Sequence, residues 1–188
     1  MEKQRCGWCE GDALYELYHD KEWGVPVKDD ATLFEFLVLE TFQAGLSWIT
    51  ILRKRENFRT AFDAFDYEKI AGYNQDKIDS LIQDAGIIRN KLKVHATVTN
   101  AQLFIKVQEE FGSFSNYIWG FVGGKPIKNR VINYKEAAPT TAQSDALSKN
   151  LKKRGFKFVG STVMYAYMQA VGMVNDHEVD CFRYGEIP

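Results

Sequence analysis

The chain has 188 residues, 45% of them hydrophobic and 26% charged, with a net charge of −1; it can bury one sizeable core and has no global basic excess to hold a polyanion. No apolar run approaches the roughly 18 residues of a membrane span, and "MEKQRCGW" lacks the apolar centre of a signal peptide. Three cysteines, an odd count, then predict a reducing cytoplasm without a disulfide framework, so any nucleic-acid contact must rest on local patches.

The first segment that carries chemistry is "RCGWCEG" at 5–11. Cys-x-x-Cys suits a redox pair, half a zinc site, or one working cysteine beside an idle one. A redox pair needs a preceding strand and a following helix, and the four residues before Arg5 leave no room for that strand. His19 follows in "LYHDKEWG", with twelve residues between it and Cys6.

Helices dominate from residue 29 onward. Asp29 and Asp30 are candidate caps for a helix that ends near Gly45, and a second begins near Ser47 with Trp48, Ile51, Leu52 and Phe58. In the first, Glu40 shares a face with Leu33, Phe36 and Leu37. It is either a group at the edge of that face or a pocket carboxylate waiting for a donor or a cation. "DYEKIAGY" and "NQDKIDSLIQDAG" predict two short helices, each opened by Asp or Asn. Tryptophan, tyrosine and phenylalanine reach 14%, enough for a ring-rich core or a ring-lined pocket, which composition does not separate.

"LIQDAGIIRNK" reads as helix, glycine turn, helix, with a helical run over 87–111 that includes His95. Such a helix-hairpin-helix offers backbone N–H groups to a DNA phosphate. Gly86, Arg89, Lys91 and Lys93 are the candidate contacts, with "RKR" at 53–55 and "KKRGFK" at 152–157 as further basic patches. "SFSNYIWGFVGG" predicts one more short helix. "KPIKNRVINYKEAAPTT", with two of the four prolines, reads as loop. "AQSDALSKNLKKRG" and "GSTVMYAYMQAVGMVND" are the last predicted helices. Strand-like alternation is nearly absent, so the fold class is all-α.

His177 and Cys181, in "NDHEVDC", have three residues between them, which on a helical turn puts both on one face. Cys6, His19, His177 and Cys181 make a closed Cys2His2 set suited to Zn²⁺, joining the first twenty residues to the last dozen. Cys6 and Cys9 with His177 and Cys181 are the rival set.

"RCGW", "YHDKEWGVP", "LFEFLVLETFQAGLSWITILRKREN", "DAGIIRNK", "SDALSKNLKKRGFKFVG" and "NDH" with its following cysteine resemble the bacterial DNA-3-methyladenine glycosylase I family, within the helix-hairpin-helix DNA glycosylases. The resemblance covers nearly the whole chain. It implies a single catalytic unit over 1–188, with a hairpin-bearing subdomain at 28–112 and a zinc-bearing one from 1–27 plus 113–188. It implies a structural Zn²⁺ on Cys6, His19, His177 and Cys181, with Cys9 a bystander. It also implies a base pocket of Glu40, Trp48, Tyr18, Tyr15 and Trp8, and Gly45 and Leu46 in a loop that enters the duplex. The expected activity is monofunctional excision of 3-methyladenine from alkylated double-stranded DNA, with the free base as product. Glu40 recognises the base; Asp84, just before the hairpin glycine, has no catalytic role. A cytoplasmic monomer is expected.

Overall fold

Short polar side chains set the helix starts. In the computed structural model, which describes residues 3–188, Asp12 accepts first-turn amides of α1 (Ala13–Lys21) and Asp29 those of α2 (Asp30–Gln43). Helix α2 stops before Gly45, whose φ of +83° lies in the left-handed region that glycine enters without strain. That turn leads into α3 (Trp48–Ala61). Asp66, Asn74 and Asn90 cap α4 (Tyr67–Ala71), α5 (Gln75–Gln83) and α6 (Lys91–Phe111) in the same manner. Ser113 opens α7 (Phe114–Trp119), and a reciprocal Thr141–Ser144 capping box opens α8 (Ala142–Arg154). Then come α9 (Ser161–Ala170) and α10 (Phe182–Glu186).

Helix α2 is the axis of the molecule. Of its residues Leu33 to Phe42, all but Glu35 are buried, so the helix has no solvent face and packs against α3, α6, α7 and α9. Its N-terminal Asp30 accepts the amides of Phe114 and Ser115 at 2.8 Å each, drawing α7 onto it. The Tyr167 hydroxyl donates to the Leu33 carbonyl at 3.1 Å, which ties α9 to the same axis. One hydrophobic cluster therefore runs from Tyr18 and Leu33 through Phe104 to Met168 and Val174.

Four local expectations change. The loop after α7 holds a short strand, β1 (Ile127–Lys128), paired in parallel with β2 (Val174–Asn175) and extended by a bridge from Val131 to Glu178. Helix α6 starts at Lys91, not at residue 87, because Asn90 is its cap. His177 and Cys181 stand in a turn after β2 rather than on a helix, and Cys181 caps α10. Helices α1 and α10 lack a strong apolar period and escape the sequence pattern.

Candidate active site

A cavity of about 250 Å³ opens where α1, the α2 C-terminus, the start of α3 and the 131–137 loop meet. Trp8, Tyr15, Tyr18, Glu40 and Trp48 all line it, so the five residues expected around a base come together. Tyr18 and Trp48 lie 5.4 Å apart between ring centres, and Trp8 meets Tyr15 edge-on at 4.8 Å. Glu40 is 3% exposed, so the reading of a group at the helix edge is excluded. Its Oε2 and the Trp48 Nε1 have no hydrogen-bond partner among the described residues. An unpaired carboxylate in such surroundings holds its proton, and burial pushes Glu40 up to about 8. The pocket thus presents neutral carboxyl and indole edges inside a ring wall.

Trp23, Gln43, Tyr134, Gln169 and Asp176 also line it, beside small apolar residues, and were not singled out from sequence. Trp23, Gln43 and Asp176 stood in the quoted "YHDKEWGVP", "LFEFLVLETFQAGLSWITILRKREN" and "NDH" segments without a role, while Tyr134 sits in a loop and Gln169 beside ordinary helix residues. The bridge from Val131 to Glu178 and the Tyr134 amide, which donates to the Glu178 carboxylate at 2.9 Å, fold the 131–137 loop onto the site.

Against the back of Trp8 and Trp23 lies a second buried cluster. The Cys6 and Cys181 sulfurs and a His19 ring nitrogen lie within 4.8 Å of one another, close enough to share a metal ion. His177 is not part of that tight triad, but its ring centre is 5.0 Å from that of His19. Its Nε2 is buried without a partner among the described residues, while its Nδ1 faces the Asn175 Oδ1 at 3.0 Å. Burial, followed by the nearby His19, pulls His177 down to about 3, leaving a neutral ring. The His19 Nδ1 faces the Asp20 carboxylate at 2.9 Å, the outer hydrogen bond that orients a ligating imidazole. A hydrogen bond from Cys6 is the main cause that draws Cys181 down to about 5, and thiolate is the form that binds metal. Gly24 has a φ of +78°, and a Cβ there would come within 2.7 Å of the His177 ring. Cys9 is buried but donates its thiol to the Cys6 carbonyl at 3.1 Å and is outside the cluster, which disfavours the rival set.

The DNA-contact expectations divide. Gly45 and Leu46 form the exposed turn between two pocket residues, Gln43 and Trp48, with Leu46 39% exposed. Arg89 and Lys91 are both exposed beside the 84–90 turn. The Gly86 amide, however, donates to the Asp84 carboxylate at 2.7 Å and is not free for a phosphate. Asp84 is thus a turn former. Lys93 is buried; its Nζ donates to the carbonyls of Phe42 at 2.8 Å and Ala44 at 2.7 Å, closing the end of α2. It holds the Gly45 turn instead of contacting solvent. Arg55 of the "RKR" run is also buried, clamped by Glu22 and Glu35 at 2.6 Å each. Periodicity does not show which charge of a basic run turns inward.

A family model described as methyladenine glycosylase matches residues 8–184. The chain is 49% identical over 181 residues to DNA-3-methyladenine glycosylase 1 of Escherichia coli strain K12, covering 96% of this chain and 97% of that one. It is 48% identical to the DNA-3-methyladenine glycosylase of Haemophilus influenzae, over 94% of this chain and 96% of the relative. A solved structure of 3-methyladenine DNA glycosylase I from Staphylococcus aureus, described for its 3-methyladenine recognition, superposes with a TM-score of 0.92 at 36% identity, covering 98% and 96%. The chain belongs to the methyladenine glycosylase family, hydrolases that act on N-glycosyl bonds.

Proposed function

We propose that the protein is a monofunctional N-glycosylase that flips 3-methyladenine out of alkylated double-stranded DNA and hydrolyses its bond to the sugar. The observation that carries this reading is the Glu40 carboxyl, buried, unpaired and aimed into a ring-lined cavity. A protein that only grips DNA has no use for such a group, whose burial costs stability. Methylation at N3 gives the adenine a positive charge in DNA, so the base leaves without being protonated. The protein has to extract it, a cost of a few kcal/mol that is least for a weakly paired base. Trp8 and Trp48 with Tyr15 and Tyr18 offer faces to a cationic ring, a contribution on the order of 1–2 kcal/mol once desolvated. The charge of the ring favours the ionised form of Glu40, which then accepts hydrogen bonds from the adenine edge. Neutral adenine forfeits most of this.

Leu46, carried on the Gly45 turn, fills the place the base leaves. The Gly86 turn, with Arg89 and Lys91, holds the phosphate backbone; the 28–112 portion would then carry the DNA contacts. The portion formed by 1–27 and 113–188 would carry Zn²⁺ on Cys6, His19, Cys181 and the free Nε2 of His177. Held by these four side chains, the ion would supply a crosslink between the two ends of the chain and no chemistry at the base. A glycosylase that also cuts the strand needs a lysine amine at the pocket, and among the described residues no lysine lines it. The protein acts as a cytoplasmic monomer on this reading. Incubation with methylated DNA and identification of the released bases tests it: 3-methyladenine without strand scission is the expected result, and intact DNA refutes the reading.

A further inference from the structure

The wall that carries Asp176 faces two cavities. One is the base pocket; the other, about 390 Å³, lies beside it and shares Val131, Ala137 and Asp176. Asp176 is 4% exposed. Its Oδ2 accepts the Tyr165 hydroxyl at 2.5 Å and the Gln169 amide at 2.8 Å, and its Oδ1 accepts the Asn129 amide at 2.6 Å. All three donors are neutral, so they fix the carboxylate without cancelling its charge. Glu40 and Asp176 are the two carboxylates that line the base pocket, and they are equipped differently. Glu40 is bare and can take up donors. Asp176 already accepts three hydrogen bonds that fix its orientation, and it presents a fixed negative potential. The exposed Arg130 lines the second cavity, with the exposed Glu136 as the other charged residue on its outer side. A cation at the rim and a fixed anion at the floor match a sugar-phosphate whose phosphate is negative and whose sugar turns positive.

We infer that the second cavity receives the deoxyribose and phosphate of the flipped nucleotide, with Arg130 on the phosphate and Asp176 stabilising the positive charge that develops on the sugar. This rests on the glycosylase reading above. In the step concerned, the C1′–N9 bond breaks and its electron pair goes to N9, which cancels the charge of the base. The positive charge passes to C1′ and O4′ of the sugar, facing Asp176. A water oxygen then bonds to C1′ and releases one proton to solvent. Asp176 gains and loses no bond.

Duplexes carrying one abasic analogue, either a neutral tetrahydrofuran or a pyrrolidine that is cationic at neutral pH, provide the test. The native protein should bind the pyrrolidine duplex about tenfold or more tightly than the tetrahydrofuran one. Asp176→Asn should erase that ratio and slow single-turnover excision by about a hundredfold, the scale of a lost electrostatic contact at a developing charge. Its metal content and its affinity for free 3-methyladenine should stay unchanged. Glu40→Gln should keep the ratio, and Arg130→Ala should weaken both duplexes alike. A native protein without the preference, or an Asp176→Asn protein that retains it, overturns the inference. If Asp176→Asn does not fold, Asn129→Lys sets a cation against the carboxylate and must erase the ratio instead; survival of the preference there is equally fatal. Native protein that releases 3-methyladenine yet shows no preference refutes the role of Asp176 alone, whereas native protein that releases no base refutes the glycosylase reading beneath it.

Discussion

The cysteine–histidine cluster and the ring-lined pocket share a wall, Trp8 against Trp23 with ring centres 4.9 Å apart, yet they treat buried polar atoms in opposite ways. In the cluster nearly every polar atom has a partner: His19 has Asp20, the Cys6 sulfur accepts the Glu178 amide, and the Cys181 sulfur faces His19. The exception is the His177 Nε2, which has no partner among the described residues although its ring centre lies 5.0 Å from that of His19. In the pocket, Glu40 and Trp48 are left bare. Burial is the same in kind, and satisfaction separates the two. A satisfied cluster holds the fold together, whereas an unsatisfied one stores destabilisation that a ligand relieves.

Substitutions at the two places should therefore move stability in opposite directions. The largest effect is expected at the cluster. Cys181→Ser should lose the metal, about one zinc per chain in the native protein on the closed-site reading, and destabilise the fold by about 3–5 kcal/mol. Elemental analysis and denaturant unfolding check both halves. Because Trp8 and Trp23 rest on His19 and His177, the same variant should also bind free 3-methyladenine poorly.

At the pocket the sign reverses. Burial raises Glu40 from 4.5 to about 8, so between those pH values the folded chain holds a proton that the unfolded chain has released. Stability contributed by this group is then lost as pH rises through that window, by up to about 1.4 kcal/mol per unit. Gln has no such loss. Glu40→Gln should match the native protein near pH 4 and become the more stable of the two by pH 8, as unfolding curves at both values will show. A variant less stable than the native protein at pH 8 would mean that Glu40 has a partner after all.

Smaller effects are expected at the turn between α5 and α6. A Cβ on Gly86 would meet the Asp84 Oδ1 at 2.9 Å and the Asn57 Cβ at 3.3 Å, so Gly86→Ala must shift the turn. DNA affinity should drop several-fold, within ~1 kcal/mol, while free 3-methyladenine binds as before. Smallest of all, Arg89→Ala should lower the log–log salt dependence of DNA binding by about 0.9, the share of a single phosphate contact.

The contrast between cluster and pocket was partly legible in the sequence. Spacing brought Cys6, His19, His177 and Cys181 together, and the apolar face around Glu40 marked it as out of place. The helix caps at Asp29, Asn74 and the glycine at 45 could also be read, because capping and left-handed turns are local chemistry. What escaped is set by tertiary contacts. Lys93 and Arg55 look like solvent cations in a one-dimensional pattern, but the chain turns them inward onto carbonyls and carboxylates. Tyr134 and Asp176 reach the pocket through a loop and a two-residue strand pair too short to leave a period. The resemblance to a known family supplied the roles that spacing alone left open, above all the choice of Cys6 over Cys9.

The central claim is that Glu40 recognises the base and does not activate water. Titration of free 3-methyladenine and single-turnover excision, both on Glu40→Gln, separate the two roles. Recognition predicts that binding weakens by roughly 1.5–3 kcal/mol, the range for a hydrogen bond to a charged group, and that excision falls with it. Near-normal binding of the free base, with excision down by about a thousandfold as for a lost general base, would contradict the account.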